Sequence, residues 1–346
     1  MLFIRYFSSR ALFYSVLLTS LGMARASSRW GALWVSLELN ILVFVPLLGG
    51  RGVASALENR LKYFLVQRVA SVFFIWAALL STFLGQELTA ILIIFAMAVK
   101  LGMAPFHGWF VSVVSNTSFG LIFILSTVQK VIPLLVLSLL PARSFTVYIL
   151  IFLTLLTVFL MGMGQVSIRK ILVISSLNNV RWIFLGAQRS PTSWGLFLVV
   201  YSRLLGCLLM FLYFERMGSF SHSLLTGLKN SSKAGLILLL MSLGGLPPLL
   251  GFFNKLLIIK TIFAEEVLWV LLVIVFSSLF LLFYYIAWWF FLATTSPSQR
   301  KHQSRKRQPY GYLCIFVQGL FFIPVMFRII YLYVGVGCTR DFDFLG

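Results

Sequence analysis

Four ionisable residues lie in apolar stretches where a charge is expensive. They are Glu38 in WGALWVSLELNILVFVPLLGG, Lys100 in AMAVKLGMAPFHGWF, Lys130 in FGLIFILSTVQKVIPLLVLSLLP and Lys255 in GLPPLLGFFNKLLIIK. A charged side chain at the centre of a membrane helix costs about 2.5–3.5 kcal/mol on insertion scales. A buried lysine gives up its proton more readily, whereas arginine stays protonated. These residues therefore suit proton transfer, provided that another charge, water or a backbone carbonyl offsets their cost.

Each of the four also has a purely structural interpretation. The lysine stems could extend to the membrane interface, which suits Lys260 near a helix end better than the three central lysines. Glu38 lacks a long stem, so its alternative is a hydrogen-bonded structural carboxyl.

Further polar residues accompany the four. Arg181 and Arg203 look central in their apolar segments. Since they cannot carry protons, we expect fixed cations that set the local field or pair with a carboxylate or a lipid. Arg68 could extend to the interface. His107 could relay protons, or be a polar residue at a helix bend.

Two apolar segments contain helix-breaking residues in the same order, L-G-x-x-P. The segments are LGMAP at 101–105 and LGGLPP at 243–248. Proline removes a backbone donor, and broken membrane helices persist only where protein or a watery cavity covers the freed groups. The predicted breaks comprise Gly102, Pro105, Gly244, Gly245, Pro247 and Pro248.

The elements that must position these residues are membrane helices. The chain has 346 residues, 60% hydrophobic and 10% charged, and apolar segments of about 20 residues recur along its length. The sequence predicts an all-α polytopic protein, one membrane domain over 1–346. Its eleven predicted spans are 8–24, 30–49, 59–84, 88–110, 119–140, 145–164, 170–187, 193–214, 234–262, 267–293 and 310–334.

The two broken segments occupy matching positions, in the fourth and the ninth predicted spans. Because five is odd, two successive sets of five helices would have opposite orientations in the membrane. Paired, interrupted segments in two halves are typical of inverted repeats. We therefore predict one repeat over about 8–140, a second over about 145–293, and a C-terminal helix over about 310–334.

Charge and cysteine usage exclude several functions. The net charge is +20, but the charges mostly punctuate short loops, as in SPSQRKHQSRKRQP at 295–308. We interpret them as setting orientation and contacting anionic phospholipids, with no nucleic-acid partner. The spacing of the cysteines and histidines favours no disulfide framework, metal site or haem site. These residues are Cys207, Cys314, Cys338, His107, His222 and His302.

Five segments resemble a known family. They are KLGMAPFHGWF, VSLELNILVFVPLL, LENRLKYFLVQ, QVSIRKILVISSLNNVRW and GGLPPLLGFFNK. Together they resemble the subunit-2 family of antiporter-like membrane subunits in mitochondrial respiratory complex I, the proton-pumping NADH:ubiquinone oxidoreductase. The resemblance covers roughly residues 30–260. It implies an eleven-helix fold and a charged axis that falls on Glu38, Lys100, Lys130 and Lys255.

The resemblance also implies a function. It implies a subunit of an H⁺-translocating NADH:ubiquinone reductase, multi-pass in the mitochondrial inner membrane. Its partners would be other membrane-arm subunits, including neighbouring antiporter-like ones. FMN, iron–sulfur clusters and ubiquinone would bind elsewhere in the complex, so that this chain carries no cofactor or metal. Coupling would alter a Glu38–Lys100 pairing and move a proton along Lys130 toward Lys255.

The sequence departs from the family in one segment, and other functions remain open. Asn179 and Arg181 stand where relatives often have histidine and glycine, which weakens the case for a histidine relay there. The alternatives are a cation/proton antiporter outside complex I and a structural spacer in the membrane arm. A membrane redox enzyme with its own cofactor fits least, because the chain lacks clustered ligands.

Overall fold

The fold is built from helices throughout the part of the chain that the structure describes. The computed structural model describes residues 2–48, 52–83, 85–140, 145–162, 167–214, 230–247, 249–263 and 268–294. In chain order the helices are α1 (Leu2–Ala26), α2 (Trp30–Leu47), α3 (Val53–Leu79), α4 (Gln86–Leu101), α5 (Gly108–Asn116), α6 (Phe119–Ser126), α7 (Val128–Ser138), α8 (Phe145–Gly162), α9 (Ile168–Arg189), α10 (Pro191–Phe214), α11 (Asn230–Gly244), α12 (Leu250–Phe263) and α13 (Leu268–Thr294). A short 3₁₀ helix, Leu80–Thr82, follows α3.

Several of these helices are long and apolar enough to cross a membrane. Among the described residues, five stretches meet that condition by length and composition: Trp30–Leu47, Ala54–Leu79, Phe119–Ser138, Phe145–Gly162 and Thr192–Phe214. Large apolar side chains such as Leu61, Leu79 and Trp76 are exposed on them. Apolar side chains are stable there only against lipid or another protein, so the chain is a multi-pass membrane protein.

α9 is the central helix. It packs against α5, α7, α8, α10, α12 and α13. Every residue from Ile171 to Gln188 is buried, although the helix carries serines, asparagines and an arginine. A helix that is buried on all faces belongs to the interior of a bundle. α9 therefore brings its polar side chains into the middle of the molecule.

Two predicted spans each consist of two helices. In the span 88–110, α4 ends at Leu101 and Gly102 adopts a left-handed φ of 70°. In the span 234–262, α11 ends at Gly244 and Gly245 has a φ of 84°. A left-handed residue after the last helical turn is a common helix end, and glycine adopts it without strain. Both connections therefore expose free helix termini inside the protein.

The remaining predicted breakers lie in or beside these two connections. Pro105 is in the connection between α4 and α5, where its side chain is exposed. Pro247 is in the connection between α11 and α12. Pro248 lies outside the described residues, as does the predicted C-terminal helix 310–334.

The span 119–140 is also interrupted, which the sequence analysis did not predict. It forms α6 and α7, separated at Thr127, whose backbone has φ −122° and ψ −72°. The Thr127 hydroxyl donates to the Phe123 carbonyl at 2.6 Å. A hydroxyl bonded to the carbonyl one turn back competes with the helix and bends it. Glycine and proline patterns do not reveal such a break, and Pro133 lies within α7.

Candidate functional site

Glu38 is held by two side chains of α3. Its Oε2 forms an ion pair with Arg68 Nη1, and its Oε1 accepts a hydrogen bond from the Ser71 hydroxyl. The Arg68 guanidinium also lies 5.1 Å from the centre of the Phe64 ring. The α2–α3 contact therefore provides Glu38 with a cationic partner from within the chain.

The expected direct pairing of Glu38 with Lys100 is wrong for this structure. Lys100 is 5% exposed, and its Nζ donates to the Gln67 backbone carbonyl at 3.4 Å. Gln67 Nε2 in turn donates to the Lys100 carbonyl at 3.2 Å. The Glu38 carboxylate is instead bound by Arg68, the residue after Gln67 on α3. The Arg68 guanidinium is suited to binding a carboxylate. The Arg68 side chain is 35% exposed, so its suggested interfacial position stays a prediction.

Lys100 and Lys130 line one small cavity. It has a volume of about 10 Å³, and its lining residues are Tyr63, Gln67, Lys100, Leu101, Trp109, Phe110, Leu125, Gln129 and Lys130. A polar cavity needs about 10–15 Å³ to hold one water. The cavity therefore has about the volume of one water between the two lysines.

Lys130 lies between α9 and two aromatic rings. It is 3% exposed, and its Nζ donates to the Ser176 hydroxyl at 2.7 Å. Its Nζ lies 5.5 Å from the Phe110 ring centre and 5.7 Å from the Tyr201 ring centre. A cation near ring faces gains about 0.5–2 kcal/mol. The ammonium is thus held without an acidic partner in any of these contacts.

A chain of polar side chains ties three helices together beside this cavity. Gln129 Nε2 donates to Asn40 Oδ1 at 3.0 Å, and Tyr63 donates its hydroxyl proton to Gln129 Oε1 at 3.0 Å. The three residues belong to α7, α2 and α3. The sequence analysis did not single out these residues or Ser176. Buried amides and hydroxyls in apolar helices are the signal that would have found them, because such groups need partners.

Lys255 lies at the second helix break. Its Nζ donates to the Gly244 carbonyl at 2.5 Å and lies 5.8 Å from the Trp182 ring centre. The last carbonyls of a helix have no partner within it, so the end of α11 supplies an acceptor. Glycine is favoured at position 245 for two reasons. Its φ is positive, and a Cβ there would lie 2.8 Å from Lys255 Nζ, so that the lysine side chain would have to move.

Lys130 and Lys255 contact the same helix, α9, at different positions. Ser176 and Trp182 are six residues apart on this helix, or roughly 9 Å along its axis at 1.5 Å per residue. Between them lies Arg181, which is 0% exposed and donates to Asn178 Oδ1. The structure therefore places Lys130 and Lys255 along the same helix, but in separate local environments.

Arg203 and His107 are the other two singled-out residues. Arg203 lies midway along α10 on its exposed face, whereas Tyr201 and Leu204 lie on the buried face of that helix. His107 is half-buried just before α5, in the connection that follows Pro105.

The arrangement can hold and move protons at buried amines. Each of the three lysines donates to a neutral oxygen, and two of them share a cavity. A neutral acceptor leaves no unpaired counter-charge when the ammonium loses its proton. The described part of the chain contains no group of three or more His, Cys, Asp or Glu residues placed to hold a metal ion.

Known proteins resemble the chain in sequence and in fold. The membrane family described as "NADH:quinone oxidoreductase/Mrp antiporter, TM" matches residues 27–281. NADH-ubiquinone oxidoreductase chain 2 of Artemia franciscana is 38% identical over 233 residues, covering 66% of this chain and 73% of the relative. The protein of the same name from Anopheles gambiae is 35% identical over 257 residues, covering 70% and 74%.

A solved structure has the same fold. A chain of respiratory complex I from Thermus thermophilus, solved with bound aureothin, superposes with a TM-score of 0.74. The two chains are 21% identical, and the match covers 90% of this chain and 76% of the other. The sequence match extends over most of the chain and includes Glu38, Lys100, Lys130 and Lys255. The chain therefore belongs to the NADH:quinone oxidoreductase/Mrp antiporter family of membrane subunits.

Proposed function

We propose that this chain is the antiporter-like, proton-translocating membrane-arm subunit of respiratory complex I. Protons would move along Glu38, Lys100, Lys130 and Lys255, driven by NADH:ubiquinone electron transfer elsewhere in the complex. The observation that carries the proposal is the cavity shared by Lys100 and Lys130, because two buried amines with room for a water between them can exchange a proton.

The proposed route has three steps within the chain. Lys100 passes its proton to Lys130 across the shared cavity, and the N–H bond that breaks on one amine is replaced on the other. Lys130 would then pass the proton to water on the α9 side, where its Nζ meets the Ser176 hydroxyl, and that water would carry it along α9. Lys255, at the other end of this part of α9, receives the proton at the helix break and passes it on.

Arg181 has a fixed electrostatic role in this proposal. It is fully buried between the Ser176 and Trp182 positions of α9, bonded to Asn178. Because arginine keeps its proton, its charge sets the field around Lys255 without carrying protons itself.

The proposed architecture is two inverted five-helix repeats, about 8–140 and 145–293, followed by a C-terminal helix at about 310–334. Together they make eleven transmembrane helices in one membrane domain, 1–346. Two features support it: each half has a helix that ends at a left-handed glycine, Gly102 or Gly245, and each break adjoins a buried lysine. The matched family spans most of both halves.

The proposed setting is supported by the family to which the chain belongs. We place the chain in the mitochondrial inner membrane, among other membrane-arm subunits and phospholipids, and with no nucleic-acid partner. FMN, iron–sulfur clusters and ubiquinone would be bound by other subunits. Exposed apolar side chains on the described helices support lipid and subunit contacts over much of the surface.

The test replaces single lysines in the assembled complex. We expect Lys100→Ala and Lys255→Ala to abolish proton translocation through this subunit while the complex still assembles. Proton uptake per NADH oxidised, measured in reconstituted vesicles, is the readout. Lys62→Ala is the matched control, since Lys62 is an exposed lysine paired with Glu58 on α3. Unchanged proton translocation in both lysine variants would establish the structural-spacer alternative instead.

A further inference from the structure

Glu38 is bound on both of its oxygens by one turn of α3. Arg68 pairs with Oε2 and Ser71 donates to Oε1. The Ser71 Oγ also lies 3.0 Å from the Arg68 carbonyl, which ties the two partners together. Phe64, one turn earlier, packs its ring 5.1 Å from the guanidinium carbon. The arginine is therefore placed by its own helix to face α2.

The acidic end of the ion pair is largely out of solvent. The Glu38 side chain is 12% exposed, whereas the Arg68 side chain is 35% exposed. Removing Arg68 would therefore leave a largely buried carboxylate without its cation, which is costly. By contrast, the Lys62–Glu58 pair on the same helix has both side chains about half exposed, and such pairs contribute little.

Two cations, those of Arg68 and Lys100, approach the same turn of α3. The Glu38 carboxylate of α2 lies beside that turn. Lys100 Nζ is bonded to the carbonyl of Gln67, the residue directly before Arg68. The described parts of α2, α3 and α4 contain three acids. Glu58 is paired with Lys62, and Glu87 is exposed in the first turn of α4. Of these three acids, Glu38 is the one that Arg68 contacts, and it also interacts electrostatically with Lys100.

We infer that Arg68 is a positioning residue that competes with Lys100 for Glu38. In the arrangement that the structure describes, Arg68 and Ser71 hold the carboxylate, and Lys100 is left with a neutral backbone oxygen. In the alternative arrangement, Glu38 turns to Lys100 and stabilises its protonated form. The inference rests on the proposed function and specifies how the first proton step is released.

The competition gives the proton transfer a direction. While Arg68 holds Glu38, the carboxylate is not bonded to Lys100. The Lys100 proton can then pass across the shared cavity to Lys130, once Lys130 has given up its own proton on the α9 side. The N–H bond on Lys100 breaks and one forms on Lys130. Arg68 cannot itself take up the proton, because guanidinium does not act as a proton carrier. Without Arg68, Glu38 would stay on Lys100 and keep it charged.

The test uses Arg68→Gln, Arg68→Lys and the control Lys62→Gln in the assembled complex. Proton translocation per electron and the structure of the complex are the two readouts. We expect Arg68→Gln to lose this subunit's proton translocation, with Glu38 turned toward Lys100 Nζ. Arg68→Lys should restore part of it, because a cation is again available to Glu38. Lys62→Gln should match the unmodified complex.

The inference is overturned if Arg68→Gln pumps normally, or if Arg68→Lys is no better than Arg68→Gln. If the Arg68→Gln complex does not assemble, Ser71→Ala decides, since it removes only one of the two groups on Glu38. A partial loss of translocation then supports the inference, and wild-type behaviour contradicts it. Lys100→Ala, measured in parallel, separates the two proposals. Normal proton translocation in that variant contradicts the proposed function. Loss of translocation in Lys100→Ala together with normal translocation in Arg68→Gln contradicts only the role of Arg68.

Discussion

At the scale of single residues, the charged groups divide by the kind of partner they have. Glu38 and Arg68 form a direct ion pair, whereas Lys100, Lys130 and Lys255 each donate to a neutral oxygen. A hydrogen bond from a charged group to a neutral one contributes about 1.5–3 kcal/mol. A neutral acceptor is not left as an unpaired charge when the lysine loses its proton. The lysines are thus suited to change protonation, and the ion pair to change position.

Ser176 provides a direct test of how Lys130 is held. Ser176→Ala removes the acceptor that lies 2.7 Å from Lys130 Nζ, and we expect slower proton translocation with assembly retained. The lysine then lacks a partner worth about 1.5–3 kcal/mol. The measurement is proton uptake in vesicles, compared with the rate of NADH oxidation.

Ser202→Ala is the matched control for that experiment. Ser202 lies on α10 and its hydroxyl is bonded only to the carbonyl one turn back, Val199, in the contacts described. We expect no change in proton uptake there. An equal loss in both serine variants would mean that the hydroxyls act on folding rather than on Lys130.

At the scale of elements, the helix breaks and α9 bring the lysines into contact with polar groups. The end of α11 offers the Gly244 carbonyl to Lys255, and the end of α4 places Lys100 in the last helical turn. α9 carries Ser176 toward Lys130 and Trp182 toward Lys255. The second break frees the Gly244 carbonyl, which a continuous helix would use within its own backbone.

Gly245→Ala should show how much depends on the second break. A side chain at a left-handed position costs about 1–2 kcal/mol, and the added Cβ would lie 2.8 Å from Lys255 Nζ. We expect a lower thermal stability of the complex. We also expect Lys255 to be displaced and proton uptake to be slower. Thermal unfolding and proton uptake are the measurements.

Gly195→Ala on α10 is the comparison, since a Cβ there meets nothing within 4 Å. Alanine also favours a helix interior over glycine by about 0.5–1 kcal/mol. We therefore expect unchanged or higher stability. If Gly245→Ala behaves like Gly195→Ala, the break does not depend on its glycine.

Gln129 tests the polar tie between α2, α3 and α7. Gln129→Leu leaves Asn40 and Tyr63 without the partners that the structure gives them. Each buried polar group left unsatisfied costs about 1–3 kcal/mol. We expect a lower melting temperature of the complex, read by differential scanning fluorimetry. Gln86→Leu, at the exposed start of α4, should change it little, and equal effects at both positions would contradict the importance of the tie.

At the scale of the whole molecule, the chain combines buried charged residues, namely Glu38, Lys100, Lys130 and Lys255, with an apolar exterior. Among the described residues, five apolar stretches are long enough to span a membrane. The buried charged residues run from Glu38 and Lys100, at the contacts of α2, α3 and α4, to Lys130 and Lys255 beside α9. Such a body needs lipid or neighbouring subunits around it. Both environments fit a subunit that sits within a membrane arm.

Gentle extraction of the native membrane tests which assembly contains this chain. We expect it to migrate on native gels with flavin and iron–sulfur subunits, in the band that oxidises NADH. The expectation rests on its relatives, NADH-ubiquinone oxidoreductase chains. Recovery of the chain without those subunits, in a form that exchanges cations for protons in vesicles, would favour the antiporter alternative.

The sequence by itself determined the membrane class, most helix positions, both glycine breaks and the identity of Glu38, Lys100, Lys130 and Lys255 as interior charges. These features follow from local composition, since long apolar stretches, glycines at helix ends and charges inside them are visible without any contact between helices.

Only the tertiary structure decided which groups meet. The family resemblance implied a Glu38–Lys100 pairing, yet Arg68 from the neighbouring helix pairs with the carboxylate. Ser176 and Gln129 gained their roles in the same way, through contacts 46 and 89 residues apart along the chain. Partner choice between helices depends on how the helices pack and rotate, which the pattern along one chain does not specify. For this reason Glu38, Lys100, Lys130 and Lys255 could be identified from the sequence, but their partners could not.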